Sequence, residues 1–289
     1  MSDVKTQEAR LVRYRDMERK LWGDDTVPFT GRLNDWFYAH DERLQCNIVG
    51  LRPGSGVLGD DAHRSLFGAD ELFYVLEGEL VQSNPATGEF HIIHPGEAVF
   101  FHKDTWHHQW NYSATQLKML EFFQPPAVTG TGSKYSASRP PFDNIPQKMQ
   151  DDLLGRWPMA RDEATAAQTM WVVREGDILW RMEGSRAGRQ VLVGIMMSTV
   201  LATIGKMRLL PGMRSEQFLH RGDKVIVVER GTLYVEFPES KTWFELDARD
   251  GCTIPEGTPH YYHNMSGLDV EAIFCVAPDY LPGISPEAS

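Results

Sequence analysis

The chain has 289 residues, of which 42% are apolar and 24% are charged, a composition that indicates a globular protein of two ordinary domains or one large one. The 40 acidic residues outnumber the 29 basic ones, and the formal charge of −11 argues against a nucleic-acid-binding protein. The three cysteines are far apart and form no C-x-x-C pair, which argues against a disulfide framework and a zinc knuckle. The sequence has neither an apolar run of about 18 residues nor a secretory signal, so we expect a cytoplasmic protein without membrane contacts.

The first predicted element is a helix near the N-terminus, because Leu11, Tyr14, Met17 and Leu21 have roughly helical spacing. We expect this segment to pack against the first domain or a partner subunit. It is followed by short apolar runs rich in β-branched and aromatic residues, of which residues 72–76 are typical, separated by turns that contain Gly or Pro. Many short strands with such turns predict a β-sandwich or barrel.

The middle of the chain has a different composition. Residues 125–141 are rich in Gly, Ser, Thr and Pro and are predicted to form a linker or surface loop. A short helix is predicted next, because apolar residues recur at every fourth position from Ile145 and Gly155 can end the helix. Short segments of apolar, β-forming residues occur again from about Met170 onwards, and residues 225–228 are one of them. We therefore place the start of a second domain near Met170.

The two β-rich halves are copies of one unit. Four residues of the first half recur in the second at the same separation of 153 positions: Gly78 and Gly231, Thr105 and Thr258, His107 and His260, and Asn111 and Asn264. A constant offset over four matched residues is not expected by chance. The chain is therefore predicted to contain one domain twice.

The repeated unit resembles the cupin family, whose domains carry two short motifs, roughly G-x5-H-x-H-x3,4-E-x6-G and G-x5-P-x-G-x2-H-x3-N. The residues that carry the resemblance are Glu71, Gly78, Gly96, Thr105, His107 and Asn111 in the first copy and Gly231, Pro255, Gly257, His260 and Asn264 in the second. The resemblance covers about residues 45–123 and 190–278 and implies an all-β fold of two jelly-roll-like cupin barrels in tandem. We therefore place an N-terminal segment and the first barrel in residues 1–125, a linker with a short helix in 126–168, and the second barrel in 169–289.

In the family, two His and one Glu of the first motif and the His of the second bind a metal, and the first copy keeps part of this set. Glu71 and His107 stand at ligand positions, whereas Ser65 and Phe67 occupy the H-x-H positions. His63 has the strand parity of Ser65, so a longer turn before Glu71 would complete a metal site of His63, Glu71 and His107. The alternative is that His63 is a surface loop residue. Such ligands suit Fe(II), our preferred metal, and also Mn, Ni or Zn.

The second copy is less suited to a metal. Lys224 replaces the Glu of the motif and Phe218 replaces one His, although His220 and His260 stand at ligand positions. A protonated lysine cannot coordinate a metal, but it could hold an anionic group of a substrate or act as a base. It could also form a salt bridge with a neighbouring carboxylate such as Glu216. We predict a second-barrel pocket of His220, Lys224 and His260 without a strong metal site.

Three functions are compatible with these motifs. The first is a metal-dependent dioxygenase acting on a small aromatic or carbonyl compound, which the resemblance to two-domain cupins of the gentisate dioxygenase type implies, although their paired histidines are absent here. The second is a non-oxidative isomerase, lyase or hydrolase, and the third is a non-catalytic binding module. We prefer the first, an oxidoreductase with a small-molecule substrate, and expect a homodimer because exposed sheet edges need covering.

Overall fold

The computed structural model describes residues 8–22, 33–57, 65–139 and 166–280, and about half of them lie in β-strands. The strands of the first half are β1 (Arg10–Val12), β2 (Lys20–Trp22), β3 (Leu33–His40), β4 (Gln45–Leu51), β5 (Gly56–Val57), β6 (Asp70–Glu77), β7 (Leu80–Asn84), β8 (Glu89–Ile93), β9 (Ala98–Phe101), β10 (His108–Asn111) and β11 (Leu117–Gln124). Those of the second half are β12 (Met170–Val173), β13 (Leu179–Glu183), β14 (Val191–Ser198), β15 (Thr203–Leu209), β16 (Asp223–Arg230), β17 (Leu233–Phe237), β18 (Thr242–Leu246), β19 (Gly251–Ile254), β20 (Tyr261–His263) and β21 (Val270–Ala277). The helical elements in these ranges are short, namely α1 (Ser133–Ala137) and 3-10 turns at Tyr14–Asp16, Ala127–Thr129 and Glu175–Asp177.

The first barrel consists of two antiparallel sheets that enclose an apolar core. The larger sheet has the strand order β12-β9-β6-β11-β4-β3-β2, and the smaller has the order β5-β10-β7-β8. Because alternate residues of a strand face the same side, Phe73 and Val75 of β6 meet Leu80 of β7 and Ile93 of β8 in one core cluster. Glu71 has the same parity as Phe73 and Val75, so strand β6 directs it to the barrel interior.

The second barrel repeats this arrangement. Its larger sheet has the order β1-β19-β16-β21-β15-β14-β13, and its smaller sheet has the order β18-β17-β20. Ile226 and Val228 of β16, Phe274 of β21 and Val235 of β17 belong to its core. The prediction of two β-barrels in tandem is confirmed.

Each barrel takes one edge strand from outside its own stretch of sequence. Strand β1 pairs with β19 of the second barrel, and β12 pairs with β9 of the first. Asp250 anchors the segment after β1 by accepting hydrogen bonds from the Tyr14 N–H at 2.9 Å and from Arg13 at 2.6 Å. Glu89 anchors the start of β12 by accepting hydrogen bonds from the N–H groups of Thr169 and Met170. The boundaries expected from the sequence put β1 with the first barrel and β12 with the second, whereas the pairing is the reverse.

The helix predicted near the N-terminus is wrong. Leu11 lies in β1, Tyr14 in a 3-10 turn and Leu21 in β2. Pairing with an existing sheet edge satisfies the backbone groups of these residues, and this tertiary contact outweighs a weak helical pattern. The short helix predicted from Ile145 lies outside the described residues. Within the described ranges, no helix has the length and apolar character needed to cross a membrane.

Candidate functional site

Glu71 and His107 come together inside the first barrel. Glu71 lies opposite Phe101 of β9 and Phe123 of β11, and its side chain is only 1% exposed. His107 immediately precedes β10 and is 3% exposed. The distance from His107 Nε2 to Glu71 Oε2 is 3.8 Å. The two residues that the motifs marked as ligands therefore face each other.

The hydrogen bond of the other ring nitrogen sets the tautomer of His107. His107 Nδ1 lies 3.1 Å from the Thr105 carbonyl oxygen, which can only accept, so Nδ1 carries the proton. Burial and, to a smaller extent, the nearby His108 lower the pKa of His107 to about 4, against the effect of this hydrogen bond. The imidazole is therefore neutral at pH 7 and directs the lone pair of Nε2 towards Glu71.

Glu71 is an incompletely satisfied carboxyl group. Burial raises the pKa of Glu71 well above its ordinary value, and the nearby carboxylates of Glu121 and Asp70 raise it further. Within the described part of the chain, its Oε2 atom is buried and has no hydrogen-bond partner. A buried ionised carboxylate is costly unless a cation or a donor compensates it. This oxygen and His107 Nε2 thus share a space that suits a metal ion or a transferable proton.

A second acid and an amide, which the motif analysis missed, lie on the same inner face. Glu121 of β11 is opposite both Asn47 of β4 and Phe73 of β6. The Asn47 Nδ2 atom donates to Glu121 Oε2 at 2.7 Å. Burial raises the pKa of Glu121 to about 7, and the bond from Asn47 opposes this rise. Glu121 lies two positions after the inward-facing Met119 on β11 and therefore shares its face.

The slots of the H-x-H pair keep the register of the second copy. The His107 N–H donates to the Ser65 carbonyl, as the His260 N–H donates to that of Phe218, each at 3.1 Å. Ser65 therefore holds the same slot as Phe218, and the longer turn that would move His63 into it is not seen. His63 itself lies outside the described residues, so its part in the metal site stays a prediction. Among the described residues, no three His, Cys, Asp or Glu side chains form a group that could hold a metal ion.

In the second barrel, Lys224 takes the position of Glu71. Its Nζ atom lies 3.1 Å from His220 Nε2 and 4.9–5.4 Å from the ring centroids of Phe218, Tyr262 and Phe274. Burial lowers the pKa of Lys224 to about 7. The predicted cluster of His220, Lys224 and His260 is thus in the interior, where all three side chains are at most 3% exposed.

The salt-bridge alternative for Lys224 is not found. No carboxylate of the described residues lies within salt-bridge distance of its ammonium group. Glu216, the suggested partner, instead accepts hydrogen bonds from the backbone N–H groups of Ser185 and Arg186. The cation is stabilised by one imidazole and three aromatic faces.

His260, the histidine of the second motif in this barrel, has hydrogen-bond partners at both ring nitrogens. His260 Nδ1 lies 2.8 Å from the Thr258 carbonyl, so its Nε2 accepts from the Tyr262 hydroxyl at 3.0 Å. Burial and the charge of Lys224 lower the pKa of His260 to about 3. Unlike His107, this imidazole has no lone pair left for a metal or a substrate unless Tyr262 moves.

Comparison with known proteins agrees with the repeat. A family model described as "Cupin domain" matches residues 47–123 and 205–276. Similar solved structures include an oxalate decarboxylase from Lactobacillus farciminis in complex with formate, with 13% identity, coverage of 97% of this chain and 89% of that chain, and a TM-score of 0.60.

Two further structures have the same architecture. A protein provisionally described as a dioxygenase, from Nostoc punctiforme, has 10% identity, 96% and 88% coverage and a TM-score of 0.62. AerE from Microcystis aeruginosa has 9% identity, 90% and 97% coverage and a TM-score of 0.57. At these identities the likeness shows the fold alone. No curated protein sequence matches the chain.

Proposed function

We propose, because this chain belongs to the cupin family and contains two of its domains, that its chemistry takes place in the first barrel. The protein is then a metal-dependent enzyme, an oxidoreductase of the dioxygenase type that acts on a small carbonyl or aromatic compound. The observation that carries this proposal is the pair formed by Glu71 Oε2 and His107 Nε2, two buried atoms 3.8 Å apart with lone pairs facing one space.

The spacing of this pair fits two ligands of one divalent ion. Ligand atoms about 2.1 Å from an ion are about 3 Å apart at a right angle and about 4.2 Å apart when opposite, and the observed 3.8 Å lies between these limits. A mixed imidazole and carboxylate set suits Fe(II), and also Mn, Ni or Zn. Such an ion would polarise a substrate oxygen and, if redox-active, support oxygen chemistry. The remaining positions are open to substrate, water or His63.

The chain prepares both ligands. The Thr105 carbonyl fixes the tautomer that leaves His107 Nε2 available, and the buried Glu71 gains a counter-charge only when a cation or a proton is present. Aromatic rings surround the imidazole, with Phe101 at 4.7 Å and Phe67 at 5.5 Å between ring centroids. They exclude water from the site and strengthen its electrostatic interactions.

The oxidoreductase class is supported by a similar structure rather than by geometry. That structure is provisionally described as a dioxygenase. The oxalate decarboxylase bound to formate, whose reaction is a net carbon–carbon cleavage without oxidation, supports the non-oxidative candidate below. We carry that class to this chain as a proposal.

A non-oxidative reaction is the second candidate, and a specific observation favours it. Without a cation, burial raises the pKa of Glu71 and lowers that of His107, so both groups are shifted towards their neutral forms. An acid and a base that face each other in a buried site can move a proton on a bound substrate. Turnover of a substrate in the absence of oxygen would favour this candidate over the first.

Metal content is the test of the site. Protein purified without chelator or affinity metal should contain about one divalent metal per chain, and His107→Ala should lose it. His260→Ala, the matched change in the second barrel, should keep it. Loss of the metal in His260→Ala alone would show that the metal is bound in the second barrel and not in the first. The absence of metal from every sample after reconstitution would contradict the metal proposal. Oxygen uptake that depends on added Fe(II) then tests the reaction class.

A further inference from the structure

The inner face of the first barrel contains more acid than a metal site requires. Glu71 and Phe123 are directly opposite across β6 and β11, and so are Phe73 and Glu121. Glu71 and Glu121 are therefore diagonal neighbours on one face, with backbones about 7–8 Å apart. Among the described residues, Glu121 does not join Glu71 and His107 in a group that could hold one metal ion.

Glu121 is held in place by a partner that is itself incompletely used. Asn47 donates one hydrogen bond to Glu121 Oε2, while its own Oδ1 atom is buried and has no partner among the described residues. Gln82 of β7, also fully buried, has neither side-chain atom bonded within the described part of the chain. A carboxylate oxygen and two amide oxygens thus remain as acceptors, with a single amide as donor.

The buried charges of this barrel have one sign. Among the described residues of the first barrel, no lysine or arginine side chain is buried, whereas Glu71, Asp70 and Asp35 are. A divalent ion at Glu71 and His107 would offset the charge of Glu71. The carboxylate of Glu121 would still lack a cation, because Asn47 supplies only a neutral donor.

Glu121 is also less enclosed than its counterpart. It remains partly exposed although it faces the interior. In the second barrel, its counterpart Phe274 is 1% exposed and packs over Gly205, where an added Cβ would lie 2.7 Å from the ring. The first barrel therefore has a partly exposed carboxyl group where the second is filled by an aromatic side chain.

We propose that Glu121, oriented by Asn47, is a specificity-determining residue that binds a protonated amine of the substrate. The substrate is then a small amino compound with an oxygen-bearing group that reaches Glu71 and His107. This inference rests on the proposed function for the location of the reacting group. It adds the class of the substrate and the residue that selects it.

Two probes that differ only in the cation test the proposal. Glycinamide carries an ammonium group, and glycolamide has a hydroxyl in its place. Binding of each to metal-loaded protein is measured by NMR titration, with metal content determined on the same samples. Wild type should bind glycinamide about tenfold more tightly than glycolamide, which corresponds to one hydrogen bond to a charged group.

Glu121→Gln should reduce this preference to within about twofold while the metal content is unchanged. Glu42→Gln removes the same charge from an exposed position of this barrel and should leave the preference intact. Glu121→Met, of similar volume, serves if the Gln variant is not folded by circular dichroism.

Three results would overturn the role of Glu121: no preference in wild type, an undiminished preference in both Glu121 variants, or loss of metal in Glu121→Gln, which would make it a ligand. If wild type contains no metal but still prefers glycinamide, and Glu121→Gln removes this preference, the role of Glu121 is supported and the metal centre is refuted.

Discussion

The two barrels have the same strand register, but the side chains in their interiors differ in charge. At equivalent positions, the first has Glu71 and Glu121 where the second has Lys224 and Phe274. The first leaves a buried carboxylate oxygen and a buried imidazole nitrogen facing each other without a protein donor between them. The second encloses the amino group of Lys224 between His220 and three aromatic rings. The same fold thus retains stability with either set, and the chemistry depends on a few interior side chains.

The comparison also gives a physical reason for the prediction that the second barrel has no strong metal site. The Nζ atom of Lys224 lies 3.1 Å from the Nε2 atom of His220, a residue at a family ligand position. His260, at another such position, is engaged by Tyr262. Protein groups thus already contact the Nε2 atom of both histidines. If this interpretation is right, exchanging the lysine for an acid should change the barrel from one that excludes a metal to one that binds it.

Lys224→Glu should have the largest effect. It gives the second barrel a carboxylate together with His220 and with His260, whose Nε2 becomes available when the Tyr262 hydroxyl turns away. A set of two His and one carboxylate binds divalent transition metals. We expect about one more metal equivalent per chain than in wild type after reconstitution with Fe(II) or Zn(II), measured by elemental analysis. Because a buried carboxylate without a cation is costly, chelation should also lower the thermal stability of this variant more than that of wild type.

Two controls accompany this prediction. Lys103→Glu makes the same charge change at an exposed position of the first barrel and should add no metal. The double variant Lys224→Glu/His260→Ala should lose the added equivalent. Unchanged metal content in Lys224→Glu would show that the two histidines do not converge on the position of the ammonium group.

The barrels themselves, and the pairing of Glu71 with His107, could be predicted because the motifs recur at a fixed offset. Glu121 and Asn47 could not, because they lie outside the motifs and because β11 does not alternate visibly. Its outward residues Leu120 and Phe122 are as buried as its inward ones, so hydrophobicity does not reveal which face Glu121 occupies.

The surroundings of Lys224 and the edge strands were likewise inaccessible to sequence reasoning. A salt bridge was the natural expectation for a buried lysine, but its partners here are aromatic rings from three separate segments of the chain. Strand β1 pairs with β19, more than two hundred positions away in the sequence. Such non-local contacts leave no local pattern, and they overrode the helical spacing of the N-terminal segment.

Gly205→Ala should have the next largest effect, because it disturbs the filling of the second barrel. The added Cβ would lie 2.3 Å from the Gly194 carbonyl oxygen and 2.7 Å from the Phe274 ring, and neither backbone nor ring can move freely. We expect the free energy of unfolding to fall by about 3 kcal/mol in urea titrations. The matched change in the first barrel, Asn47→Ala, removes a hydrogen bond and should cost about 1 kcal/mol. Equal losses in both variants would contradict the difference in packing that we describe.

The smallest effect concerns pH and tests the enclosed cation directly. Burial lowers the pKa of Lys224 from 10.5 to about 7, so between these values the unfolded chain binds the proton more strongly than the folded one. Stability therefore rises with pH across this window, and the penalty is complete below pH 7. In urea titrations between about pH 7 and 8, the free energy of unfolding of wild type should rise by about 1 kcal/mol per pH unit relative to Lys224→Met.

Buried thiols such as Cys252 change the stability in the opposite direction only at higher pH, because unfolded thiols ionise above about pH 8. Lys103→Met, at an exposed position, should follow wild type, and a Lys224→Met variant with the wild-type slope would show that the ammonium group is not desolvated in the folded barrel.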